Sequence, residues 1–207
     1  IRRQRQMCIR DRLIAMTAIA VSGVVCKGVV MDSAAFPSLN HIDVAKRLNE
    51  KFGLTVLIDN DLHVATNVAR KYSNYQEGIT VLYAYGKRKS GSGIIANGEV
   101  LCGASGAAGE VENIPLHTPD IESERIAFCS ERLQAIIALM NPGRVVIYEL
   151  DEGMDTDKLI GLIKSKMKPY LLPEFKLGRD FFEDCFLGLS IVCEVGIKQS
   201  LQERLDF

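Results

Sequence analysis

The chain has 207 residues, 47% of them hydrophobic and 25% charged, and its formal net charge is -1 at pH 7. These values are typical of a soluble globular protein, and they argue against a disordered chain or a broad nucleic-acid-binding face. No apolar run approaches the roughly 20 residues that span a bilayer, so we expect a cytoplasmic protein that makes no membrane contact.

The first residues do not resemble native protein. Residues 2–11 have the sequence RRQRQMCIRD, which is the translation of CGT CGG CAG CGT CAG ATG TGT ATA AGA GAC. That string resembles the adapter of transposase-based sequencing libraries. We therefore expect residues 1–12 to be a non-native leader, with native sequence beginning near Leu13. The alternative is a genuine basic arm that binds nucleic acid.

The next segment is predicted to contain a strand pair, a helix and a buried strand. Two apolar, β-favouring strands, Leu13 to Val21 and Val24 to Met31, are expected to pair around a turn at Ser22-Gly23. The helix runs from Asp43 to Phe52, because Asp43 can cap its first turn and a glycine follows its last residue. Leu54 to Asp59 is predicted to be the buried strand.

A helix, a hairpin and a glycine-rich segment follow. Asn60 to Tyr72 places its apolar residues on one helix face, and Ile79 to Tyr85 is predicted to be the next strand. A hairpin is predicted over Gly93 to Leu101, turning at Asn97-Gly98. The segment Gly103 to Gly109 contains only Gly, Ala and Ser, so backbone can approach a ligand or another backbone closely there.

The remaining residues alternate helices with one further strand. Helices are predicted over Ile121–Met140, which Asp120 can cap, over Thr156–Met167 and over Phe182–Leu205, with a strand at Arg144–Leu150. Strands that alternate with helices predict an α/β architecture whose sheets are covered by helices. The six cysteines are scattered and form no C-x-x-C pair, so neither a disulfide framework nor a zinc site is indicated.

Several motifs occur in the order in which one known family carries them. They are AIAVSGVV at 18–25, FGLTV at 52–56, DND at 59–61, SGIIANG at 92–98 and GASGAAGE at 103–110, with NPGRVVI at 141–147 as a later element. On these motifs the chain resembles the ROK family of repressors, open reading frames and sugar kinases over about residues 15–148.

The resemblance implies an actin-like ATPase fold, also described as ribonuclease H-like, in which two α/β domains bind sugar and nucleotide in the cleft between them. The chain would be the C-terminal part of such a two-domain protein. Residues 13–59 would be the remainder of the N-terminal small domain, 60–187 the large domain, and 188–207 a C-terminal helix that returns to the small domain.

The resemblance also assigns candidate sugar contacts. Asp61 falls on the position of the catalytic base, and a carboxylate there can accept the proton of a sugar hydroxyl. Asn60 and Glu110 would hydrogen-bond sugar hydroxyls, and Asn113 occupies a position where the family often has a histidine contact. Without the resemblance, the pattern favours Asp61 as a helix cap.

The phosphate side departs from the family pattern. Kinases of the family surround the nucleotide phosphates with a Gly-Thr-Gly stretch, which falls here on Lys87, Arg88 and Lys89 when Gly91 and Gly93 are aligned. Long side chains can attract phosphate as point charges, but they cannot reproduce the close backbone approach. The alternative is an ordinary solvated loop.

The chain also departs from the family pattern at the position of its zinc motif. No cysteine cluster follows Asn113, and one cysteine alone cannot complete a four-coordinate site. We therefore predict no zinc and no certain cofactor, with ATP and magnesium needed only if the protein is a kinase. His63 and His117 are assigned no role.

The leading hypothesis is a non-catalytic, sugar-binding effector domain of a ROK-type transcriptional regulator. Its expected partners are a sugar or sugar phosphate, DNA only through a missing N-terminal domain, and further copies of itself in a homo-oligomer. The first alternative is an ATP-dependent sugar kinase, which the retained Asp61 favours. The second is an orphan actin-like domain without a ligand, which the Gly103 to Gly109 segment disfavours.

Overall fold

The computed structural model describes residues 16–72, 78–87, 89–114, 124–151, 153 and 155–205. The predicted leader, Asp120, Arg88 and His117 lie outside these residues. The described strands are β1 Thr17–Val21, β2 Val24–Cys26, β3 Val29–Asp32, β4 Ile42–Asp43, β5 Val56–Asn60, β6 Ile79–Tyr85, β7 Ser90–Ala96, β8 Glu99–Val100, β9 Arg144–Glu149 and β10 Glu174–Leu177. The described helices are α1 Val44–Phe52, α2 Asp61–Tyr72, α3 Arg125–Met140, α4 Thr156–Lys166 and α5 Phe181–Leu205.

The first strands pair differently from the sequence prediction. β1 pairs in parallel with β5, from Thr17 beside Val56 to Val21 beside Asn60, and β2 pairs with β3 in an antiparallel sheet that also contains β4. The predicted pairing around Ser22-Gly23 is therefore wrong. The unbroken apolar run of β1 is typical of a parallel strand, whereas the strands of a hairpin alternate more strongly between apolar and polar residues.

The largest sheet has five strands in the order β10-β9-β6-β7-β8, and β9 runs parallel to β6. The predicted strand at Ile79–Tyr85 is confirmed, as is the turn at Asn97-Gly98, where both residues have the positive φ that such hairpins need. β10 was not predicted from the sequence. It is a short, largely exposed edge strand, so its residues carry little apolar pattern.

Helices cover both faces of this sheet, which confirms the predicted α/β class. The alternating side chains of β6 show the two faces clearly. Tyr83 points into a core formed with α3 and α4, whereas Leu82 lies in a second core with α2 and the first turns of α5. Both side chains are fully buried. The caps predicted for α1 are also confirmed, because Asp43 accepts a hydrogen bond from the Lys46 N–H and Gly53 is left-handed.

The last helix, α5, packs along α2 and reaches the β1–β5 pair. Glycines allow this close packing, because a methyl group at Gly188 would lie 2.1 Å from the carbonyl oxygen of Val64. Lys71 and Glu194 form an ion pair between the same two helices. No helix among the described residues is long and apolar enough to cross a membrane. The predicted domain boundaries at residues 59/60 and 187/188 stay predictions.

Candidate functional site

A cleft of about 320 Å³ lies between the β7 side of the large sheet and the segments that follow β1 and β3. Its lining contains six of the residues that the sequence analysis assigned to a site: Asn60, Asp61, Lys89, Gly91, Glu110 and Asn113. Lys87 and Gly93 do not belong to this lining. The cleft therefore unites the predicted sugar contacts, and its volume is at the lower end of the range for small-molecule sites.

The Asn60 side chain mainly stabilises the fold, because its polar atoms bond backbone groups. It is 5% exposed, and its Oδ1 accepts hydrogen bonds from the backbone N–H groups of Leu62 at 2.8 Å and His63 at 3.1 Å. These bonds cap the first turn of α2. Its Nδ2 donates to the Gly23 carbonyl at 2.7 Å. Asn60 thus connects the two walls of the cleft.

Asp61 is the first residue of α2, and its carboxylate faces the cleft. Burial raises the pKa of Asp61, while the Leu62 N–H, the positive charge of Lys89 and the Ser22 hydroxyl act in the opposite direction. A carboxylate with a raised pKa in a cleft can take a proton from a ligand hydroxyl. The geometry is therefore compatible with the predicted role of Asp61 as a base or a hydrogen-bond acceptor.

The Gly103–Gly109 segment brings Glu110 into the same cleft. Gly109 has φ +93, and a methyl group there would lie 1.9 Å from the Ser92 carbonyl oxygen, so only glycine fits. Ser92 donates to the Gly109 carbonyl from its N–H at 2.9 Å and its hydroxyl at 3.0 Å. Burial raises the pKa of Glu110, and the negative charge of Asp61 raises it further.

An ion pair between the buried Arg125 and the partly exposed Glu112, which was not predicted from the sequence, supports one wall of the cleft. Arg125 is 5% exposed, and its Nη2 donates to Oε1 of Glu112 at 2.9 Å while its Nε donates to the Gly86 carbonyl at 2.8 Å. The Ser90 hydroxyl donates to the same Glu112 oxygen. No local sequence pattern indicates this pair, because Glu112 and Arg125 are 13 positions apart and belong to different segments of the chain.

The turn between β6 and β7 is where the resemblance placed a phosphate loop. The Gly86 N–H donates to the Lys89 carbonyl at 2.8 Å, and the Lys87 N–H donates to Oδ2 of Asp151 at 2.7 Å. Two backbone donors of the turn are therefore satisfied within the protein, and a carboxylate occupies the position next to them. In this conformation the Gly86 and Lys87 N–H groups are therefore not available as donors to a phosphate group.

The glycines that follow this turn serve helix packing. A methyl group at Gly91 would lie 2.5 Å from Cδ1 of Leu62, and one at Gly93 would lie 2.0 Å from Oγ1 of Thr66. Both glycines therefore allow α2 to pack closely against β7. This packing explains the glycine pattern at these positions without a bound phosphate.

His63, to which the sequence analysis gave no role, connects the base of the cleft to the glycine-rich segment. Its ring is 2% exposed, with Nδ1 at 3.1 Å from Oδ1 of Asp59 and Nε2 at 3.3 Å from the Ala108 carbonyl oxygen. The i,i+4 spacing of Asp59 and His63 could have indicated their contact from the sequence. The contact with Ala108 could not be predicted in this way, because it joins residues 45 positions apart.

The residues at the position of the family zinc site do not fit that metal. Asn113 is exposed at the edge of the cleft, and the described part of the chain contains no group of three or more His, Cys, Asp or Glu that could hold a metal ion. Cys129 is fully buried in the core between the large sheet and α3. Zinc needs four convergent ligands.

We therefore expect the purified protein to contain no stoichiometric zinc, because no cysteine cluster follows Asn113 in the sequence and the described residues bring no such group of ligands together. Elemental analysis of protein purified without chelators checks this expectation. One tightly held zinc ion per chain, retained through dialysis against a chelator, would contradict it.

The comparisons with known proteins identify a family and a fold. The sequence model of the ROK family matches residues 6–133, more than half of the chain, and the match begins inside the predicted leader. No curated protein sequence matches the chain.

Solved structures give the same result. A ROK hexokinase from Thermus thermophilus aligns with 15% identity and a TM-score of 0.67 over 89% of this chain and 80% of its own. A ROK family glucokinase from Streptomyces griseus, in complex with glucose and AMPPNP, aligns with 12% identity and a TM-score of 0.62 over 90% and 86%. A ROK family transcriptional regulator, homologous to the Mlc protein of E. coli, aligns with 16% identity and a TM-score of 0.65 over 90% and 63%. The predicted actin-like ATPase fold is confirmed.

Proposed function

Because this chain belongs to the ROK family, we propose that it binds a sugar in the cleft described above without phosphorylating it, as the ligand-sensing part of a transcriptional regulator. The observation that carries this proposal is the Gly86–Lys89 turn. Its Gly86 and Lys87 N–H groups are bonded within the protein, and the Asp151 carboxylate accepts one of these bonds. A nucleotide phosphate would have to displace that carboxylate.

The other half of the cleft keeps the acceptors that a sugar needs. Its lining contains four carboxylates: Asp32, Asp61, Glu110 and Glu112. Among the described residues, Lys89 is the one lysine or arginine in the same lining, and Arg125 is already paired with Glu112. Carboxylates accept hydrogen bonds from hydroxyl groups but repel a phosphate. The charges therefore favour an unphosphorylated sugar over the sugar phosphate that the Lys87 to Lys89 loop suggested.

The structural relatives support binding of this kind without deciding between sensing and catalysis. One relative is a glucokinase in complex with glucose and AMPPNP, and another is a transcriptional regulator. Both align at similar TM-scores, so the choice between them depends on the site.

The alternative function is an ATP-dependent sugar kinase, and one observation favours it. Asp61 lies at the start of a helix with its pKa raised by burial, which suits a general base near neutral pH. In that case the Gly86–Lys89 turn would have to open before ATP and magnesium could bind.

Calorimetric titration with a panel of hexoses, N-acetylhexosamines, disaccharides and hexose phosphates, first without and then with ATP, tests the proposal. We expect an unphosphorylated sugar to bind without ATP, because the lining supplies acceptors for its hydroxyl groups and the Gly86 and Lys87 N–H groups are bonded within the protein. Each binder is then tested for ADP release in a coupled assay. Sugar-dependent ADP release that the Asp61→Asn variant abolishes would establish the kinase.

A further inference from the structure

The His63 ring lies between two groups that can only accept hydrogen bonds. Its Nδ1 is 3.1 Å from a carboxylate oxygen of Asp59, and its Nε2 is 3.3 Å from the Ala108 carbonyl oxygen. A neutral imidazole carries one N–H, so it can donate to one of these partners and leaves two acceptors facing each other at the second. An imidazolium donates to both.

We propose that His63 is doubly protonated in the folded protein and that its imidazolium acts as a positioning residue, holding the Gly103–Gly109 segment so that Glu110 reaches the sugar cleft. The cleft's role as a sugar site is the proposed function, on which this inference rests. The protonated ring fastens the end of β5 and the first turn of α2 to the segment that carries Glu110.

The charges around the ring agree with this protonation state. Burial lowers the pKa of His63, but the hydrogen bond and charge of Asp59, the Ala108 carbonyl and the charge of Glu110 raise it, and the net direction is upward. Lys27 and Asp59 line one groove on the far side of β5.

The path from His63 to Glu110 is short. Ala108 is two residues before Glu110, and its own N–H donates to the Cys102 carbonyl at 3.1 Å, which closes the loop. The next residue, Gly109, is held separately by Ser92. Loss of the proton on His63 leaves the two Ser92 hydrogen bonds to Gly109 in place, and we therefore expect Glu110 to be displaced rather than lost from the cleft.

The sign of the pH dependence follows from the raised pKa. Below that pKa both hydrogen bonds are present. As pH rises through it, the remaining N–H stays with the charged Asp59 acceptor and the bond to Ala108 is lost. The contribution of that one bond limits the loss of affinity for a sugar held by Glu110 to about tenfold.

The experiment uses the full chain between pH 5.5 and 9. Nitrogen-15 NMR reports whether both ring nitrogens of His63 carry protons, hydrogen exchange gives the protection factor of the Ala108 amide, and calorimetry with glucose and the panel gives the affinity. We expect both ring nitrogens to be protonated at pH 7, with the protection factor and the affinity falling together above the pKa. In His63→Gln, whose amide can donate to Ala108 without titrating, both quantities should be independent of pH.

The matched control is His41→Asn, which removes an exposed histidine at φ 62, a conformation that Asn tolerates. It should keep the wild-type pH dependence. A single protonated ring nitrogen at pH 7, or a pH dependence that survives in His63→Gln, would overturn the inference. If no sugar binds at any pH while the Ala108 protection factor still follows His63, the proposed function is wrong and the positioning role of His63 stands.

Discussion

Replacement of Asp61 by Asn is expected to lower sugar affinity about ten- to a hundredfold. Asp61 faces the cleft as a carboxylate, and a hydrogen bond to a charged group contributes about 1.5 to 3 kcal/mol. The amide of Asn keeps the size of the side chain but loses the charge and one acceptor. Isothermal titration with the best-binding sugar of the panel measures the change.

The matched control for this variant is Asp43→Asn. Asp43 also stands at the beginning of a helix, where its carboxylate accepts from the Lys46 N–H at 2.8 Å, but it does not line the cleft. Asn is an equally good cap at such a position. Equal affinity of the Asp61→Asn variant and the wild type would show that the sugar, if bound, does not use this carboxylate.

Replacement of Gly188 by Ala is expected to destabilise the protein by about 1 to 3 kcal/mol, the range for overpacked interiors. The added methyl would lie 2.1 Å from the Val64 carbonyl oxygen and 2.9 Å from its Cγ1, so α5 would have to move away from α2. The midpoint of thermal unfolding should fall by roughly 2 to 4 °C for each kcal/mol.

Gly161→Ala is the control, because Gly161 also lies inside a helix, α4, but a methyl group there meets nothing within 4 Å. Alanine has the higher helix propensity, so this variant should stabilise the protein by about 0.5 to 1 kcal/mol. Opposite shifts of the two midpoints are the expected result. A stabilised Gly188→Ala variant would mean that α5 is not packed against α2 as described.

Most of the individual elements could be predicted from the sequence, whereas the strand pairing could not. The cap at Asp43, the end at Gly53 and the Asn97-Gly98 turn depend on local backbone chemistry, which a single sequence records. The pairing of β1 with β5 joins segments separated by a sheet and a helix. No local pattern distinguishes that pairing from a hairpin.

The site was predictable to the same extent. The order of the motifs predicted that Asp61 and Glu110 belong to one candidate site, and both residues line the same cleft in the structure. The internal hydrogen bonds of Asn60, the Glu112–Arg125 pair and the contact of His63 with Ala108 depend on side-chain directions that only the folded chain fixes. The hydrogen bond that the Lys87 N–H donates to Asp151 could not be predicted either, because the two residues are 64 positions apart in the sequence.

The packing of α5 against α2 has a consequence for synthesis of the chain. The ion pair between the two helices joins residues 123 positions apart, and ribosomes add roughly 5 to 20 residues per second. The apolar side chains of α2 that α5 covers therefore remain open to solvent for roughly 6 to 25 seconds after they are made. Over that interval this apolar face is exposed to other chains in the same compartment, and only the arrival of α5 covers it.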